Sequence, residues 1–126
     1  MPVKFFRCEQ CGNIITFLTK SGAPESYCTE TMKELVPGTS DGAAEKHVPV
    51  VKVDSSHVTV SVGSVEHPAL SEHHIEWIVL ETEEGTQTKY LEPGKKPEAE
   101  FALTKGDKAV AVYEYCNLHG LWKTSL

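Results

Sequence analysis

From residue 47 onward the apolar positions follow the pattern of strands. Val58, Val60 and Val62 alternate with polar neighbours, the period of a strand with one buried face. Residues 48–53 are rich in valine, and 75–82 form an apolar block around Trp77. Shorter runs follow at 86–91, 99–103, 109–115 and 121–124. Asp54-Ser55, Glu84-Gly85, Pro93-Gly94 and Lys105-Gly106-Asp107 separate them as turns. Seven short strands at this spacing predict an all-β fold, an antiparallel β-sandwich. No stretch shows the period of an amphipathic helix.

The first 35 residues read differently. Apolar runs at 3–6 and 14–18 flank Cys8-Glu9-Gln10-Cys11-Gly12, which predicts two strands joined by a turn carrying two thiols. Ser21-Gly22-Ala23-Pro24 marks another turn before Cys28. So short a unit buries little, and needs a metal, a partner chain or docking to be stable. Residues 36–46 (VPGTSDGAAEK) have no period and read as a linker. The expected domains are therefore 1–36 and 37–126.

Composition narrows the function. A net charge of −6 over 126 residues argues against a nucleic-acid partner, which requires a basic face. It leaves room for a local positive spot that draws in an anion. The N-terminus lacks the apolar segment of a secretory signal, and no run approaches the roughly 20 apolar residues of a membrane span. The expectation is a soluble, cytoplasmic protein without membrane contact. In a reducing compartment, Cys8, Cys11, Cys28 and Cys116 are better read as metal ligands or free thiols than as disulfides.

Six histidines accompany them. His57 sits out of phase with the apolar positions of its strand and reads as a polar edge residue. His73 and His74 are adjacent, so in an extended chain only one of them can face a common ion. His47, His67, His73 and His119 stand at strand starts or in turns, and Cys116-Asn117-Leu118-His119 lets one turn offer a thiolate and an imidazole. Such donors suit iron, zinc or copper. On spacing alone, a metal site and a set of unrelated strand-end residues remain open.

Residues 45–49 (EKHVP), 66–78 (EHPALSEHHIEWI) and 115–122 (YCNLHGLW) resemble the signature segments of the superoxide reductases, the desulfoferrodoxin and neelaredoxin family. The resemblance implies an immunoglobulin-like seven-stranded sandwich. It implies one mononuclear non-haem iron per chain, with His47, His67, His73 and His119 equatorial and Cys116 axial. Glu45 and Lys46 match the family's pair beside an open sixth position. His74 stands where many relatives have tyrosine and is not made a ligand. Tyr115 and Trp77 read as packing. The activity implied is one-electron reduction of superoxide to hydrogen peroxide, with the electron returned by a rubredoxin-like donor. Lys46 would steer the anion or help protonate the product.

The segment with Cys8, Cys11 and Cys28 resembles the desulforedoxin-like module of two-iron members, whose second cysteine pair is a doublet. Here Tyr27 takes the first doublet position, so one thiolate is missing. A tetrahedral sulfur site needs four soft ligands. A rubredoxin-type iron is therefore expected to be absent or much weakened. Zinc with an outside fourth ligand, free thiols or a disulfide stay open, as does a role for the unit in a homodimer. Two rivals to the enzyme reading are an electron-transfer metal module and a zinc-stabilised interaction module, both without superoxide turnover.

Overall fold

The computed structural model describes residues 3–19, 26–27, 30–39, 42, 44–63 and 69–126, with the backbone alone at 26, 27, 30 and 31. The chain divides into two compact units, Met1–Val36 and Pro37–Leu126.

In the first unit β1 (Phe5–Arg7) pairs antiparallel with β2 (Ile14–Ile15). The turn between them is closed by Gly12 N–H to the Cys8 carbonyl (2.8 Å) and Cys8 N–H to the Asn13 carbonyl (2.9 Å). Gly12, at φ +80°, takes a conformation that other residues adopt at a cost. Ser26–Tyr27 (β3) pairs with Glu30–Thr31 (β4). Lys33–Leu35 (β5) adds to the other edge of β1; three residues are too few to show a period in sequence. Phe6, Cys8 and Met32 are buried together, with Ile15 and Phe17 against them. The predicted turn at 21–24 lies outside the described residues.

In the second unit the segment read as a linker ends in a helical turn, α1 (Ala44–His47), closed by Val48 N–H to the Ala44 carbonyl at 2.8 Å. One turn is too short to display helical periodicity, so the linker reading is corrected there. Seven strands follow: β6 (Pro49–Asp54), β7 (His57–Val62), β8 (Ile75–Thr82), β9 (Thr86–Tyr90), β10 (Glu98–Ala102), β11 (Ala109–Cys116) and β12 (Gly120–Ser125). They form two antiparallel sheets, ordered β10-β7-β6 and β12-β11-β8-β9. Each end of these seven strands lies within one residue of the predicted one, whereas in the first unit the runs at 3–6 and 14–18 differ by up to three residues from β1 and β2.

Between the sheets, Val58, Val60 and Val62 of β7 meet Phe101 of β10, Ile75, Ile78 and Leu80 of β8, and Val112 and Cys116 of β11. Full burial of one such aliphatic side chain contributes about 1.5–3 kcal/mol. The register matters at one end. Tyr115 opposes Trp77, but Cys116 opposes Ile75, so Glu76 is an extra residue in β8. This bulge lets Ile75 face the core with Ile78 and Leu80, although they are not evenly spaced. It also brings the start of β8 against the end of β11. On the opposite face Trp77 and Tyr115 stack 5.6 Å apart, consistent with their reading as packing.

Candidate metal centre

Three segments meet where β6 and β8 begin and β11 turns into β12. His47 ends α1 and is buried; its ring stacks on Trp122 at 5.1 Å and 19°. His73 precedes β8 and is held by paired backbone bonds with Leu70 (3.0 and 3.1 Å). Cys116 closes β11 and opposes Gly120, the first residue of β12. The three residues between them form a hairpin turn, and Gly120, which follows it at φ +78°, takes a left-handed conformation that favours glycine. The turn places Cys116 and His119 on one side.

The ligand atoms of His47, His73, Cys116 and His119 all lie within 4.8 Å of one another. His119 Nδ1 is 3.1 Å from His47 Nε2 and 3.9 Å from Cys116 Sγ. Bonds of about 2.0–2.3 Å put ligands on opposite sides of one ion about 4.4 Å apart. The cluster therefore has the dimensions of a single-ion site. Its donors, three imidazoles and a thiol, fit iron.

Burial pushes the Cys116 thiol up, and the backbone amides of Leu118 and His119 pull it back down by hydrogen bonding to sulfur. Glu114 and Glu76 push in the same direction as burial. Those amides are the donors that stabilise a thiolate, and an ion completes its deprotonation. His73 is held below the ordinary imidazole value, first by burial, then by His119, Lys46 and His74. It thus presents the neutral ring that a metal needs. Lys46 is exposed on α1, yet its charge is felt at His73. Glu45 is exposed beside it. His67 lies outside the described residues. His57 opens the central strand β7, half exposed and 3.8 Å from Glu100. His74 does not join the cluster.

With that geometry in hand, the chain compares with known proteins as follows. Residues 39–125 match the family model described as desulfoferrodoxin. A desulfoferrodoxin of Nitratidesulfovibrio vulgaris is 49% identical over 125 residues, covering 98% of each chain. The chain belongs to the desulfoferrodoxin family. A superoxide reductase of Pyrococcus horikoshii is 37% identical to this desulfoferrodoxin-family chain over 103 residues, 68% of this chain and 90% of that one. The crystal structure of the superoxide reductase from Treponema pallidum superposes with a TM-score of 0.81 at 36% identity, covering 98% of both chains.

A rubredoxin-type iron needs four thiolates. This member has four cysteines, of which Cys116 lies in the second unit, leaving three. Cys8 is buried and Cys11 exposed; the Cys11 amide points at Cys8 Sγ, 3.4 Å away. Cys28 lies outside the described residues. Three thiols do not fit a rubredoxin-type iron.

Sequence reasoning overlooked three supports of the main site. Trp122 stacks on His47 and donates its indole N–H to the His119 carbonyl (3.0 Å). Gly42 approaches so closely that a Cβ there would lie 3.1 Å from the Cβ and Cγ of His119 and 3.2 Å from Cε1 of His47. Glu114 is fully buried on β11, two residues before Cys116. Only Glu114 left a trace in the sequence: it shares the alternation phase of Val112 and Cys116.

Proposed function

We propose that the chain is a superoxide reductase, converting superoxide to hydrogen peroxide with one electron and two protons at a mononuclear iron. The observation that carries this is the convergence of His47, His73, Cys116 and His119, from three separate segments, on one point. His67 is the proposed fourth imidazole, completing a His4Cys set with one face open. Iron in such a set supplies a one-electron reductant and a Lewis-acid position for an anion.

The protein's own groups do the rest. The amides of Leu118 and His119 temper the charge on Cys116 sulfur. Lys46, whose field reaches His73, draws superoxide to an otherwise acidic molecule and offers a proton to the product. Glu45 is the proposed carboxylate that exchanges at the open face. A small rubredoxin-like protein is the proposed donor. Among the described residues no helix is long and apolar enough to cross a membrane. The proposed location is the cytoplasm, and the proposed assembly a homodimer. Residues 1–36 are proposed to be a desulforedoxin-like module without its iron, and 37–126 the catalytic domain.

Metal analysis and absorption spectra in both oxidation states test this reading. One iron per chain, a visible thiolate band when oxidised, and rapid appearance of that band when the reduced protein meets pulsed superoxide are expected. A colourless zinc protein inert to superoxide would overturn it. The Lys46→Ala variant should keep its iron but react about tenfold more slowly, with a weaker dependence on ionic strength. An unchanged rate with unchanged salt dependence would remove Lys46 from the mechanism.

A further inference from the structure

The turn between β11 and β12 contains a residue that no part of the ligand set explains. Asn117 sits between Cys116 and His119, and its side chain reaches across to the segment before β8. Its Oδ1 accepts the backbone N–H of His74 at 2.9 Å. Its Nδ2 donates to the backbone carbonyl of Glu72, also at 2.9 Å. Its own backbone N–H donates to the His74 carbonyl at 3.2 Å. The three bonds bracket His73 on both sides.

We infer that Asn117 is a positioning residue that locks His73 to the Cys116–His119 turn and so sets the shape of the metal site before an ion arrives. The inference rests on the metal-site reading above.

The physical argument is one of constraint. Residues 71–74 form no regular strand, and the Leu70–His73 bridge ties His73 to its own near neighbour in sequence. The Asn117 bonds tie the peptide groups on either side of His73 to a second, distant segment. An amide side chain is suited to the task because it offers one acceptor and a donor group in a fixed plane. Here the acceptor and one donor are used, on peptide groups that flank the ligand. The same clamp holds the turn from its other side. That turn supplies the Leu118 and His119 amides that donate to Cys116 sulfur. One side chain thus governs both the placement of an imidazole and the direction of the sulfur's hydrogen bonds. Groups that orient metal ligands in this way typically account for about 10–100-fold in metal affinity.

The test uses the full chain and cobalt(II), whose thiolate charge-transfer and ligand-field bands report affinity and geometry without turnover. Asn117→Ala should weaken cobalt binding about 10–100-fold in competition with a chelator and shift the thiolate band. Asn117→Asp has nearly the same shape, keeps the acceptor for His74 N–H and loses the donor to Glu72. It should fall between wild type and alanine, and it carries the test if the alanine variant does not fold. A core variant in the other sheet, Val60→Ala, should lower thermal stability yet leave cobalt affinity and bands in place. Cobalt affinity and spectra unchanged in both Asn117 variants would overturn the inference, as would equal changes in Val60→Ala. If wild type itself bound no cobalt, the metal-site reading would fail, and the inference with it.

Discussion

Glu114 carries a carboxyl group into the apolar layer between the sheets, with neither oxygen hydrogen-bonded among the described residues. Its strand partners, Ile78 and Trp122, do not titrate, and the titratable group next along the same face is Cys116. Burial pushes its pKa up to about 9, from an ordinary 4.5. Between those values the folded chain holds a proton that the unfolded chain releases. The contribution to stability is therefore full below pH 4.5 and lost as pH rises toward 9, with a slope of at most about 1.4 kcal/mol per unit. Glu114→Gln should remove that slope. Urea unfolding of the metal-free protein at pH 6 and pH 8 checks it: the variant should gain on wild type at the higher pH. A difference that stays constant between the two would show that Glu114 does not bind its proton there. At this scale the sequence was uneven. Histidines and cysteines announce themselves because few other side chains bind metals. Asn117 does not, because an asparagine in a turn has many local uses, and its partners are backbone groups some 45 residues away.

The elements were mostly legible. Strand alternation is local, and turn residues mark where it stops, so β6 to β12 could be drawn before any coordinates. The bulge at Glu76 and the helical turn before β6 could not. One is a register effect between two strands, and the other is a single turn stabilised by what its last residue meets. His47 is buried at its end because Trp122 offers a face for its ring. Gly42 leads into this turn at φ +151°, in a region that disfavours side chains. Gly42→Ala should press a methyl group on both imidazoles and cost about 1–2 kcal/mol in stability. It should also weaken metal binding about tenfold. Thermal unfolding and chelator competition measure the two separately. No change in either would mean that the segment before α1 yields freely.

At the scale of the molecule, the chain divides into two compact units, Met1–Val36 and Pro37–Leu126. The site in the second unit was legible as a list of donors but not as a shape. Convergence of 47, 73, 116 and 119 is a property of the whole sandwich, in which the loops at one end share a centre.

Trp122 touches one ligand ring and holds the backbone of another, and that gives the protein an internal lamp. The chain has two indoles, and the other, Trp77, is stacked on Tyr115. Ultraviolet emission should therefore dim as an open-shell ion enters the centre, reach its floor at one equivalent per chain, and lose most of its response in Trp122→Phe but not in Trp77→Phe. Loading could then be followed in the native protein, without a dye or an activity assay.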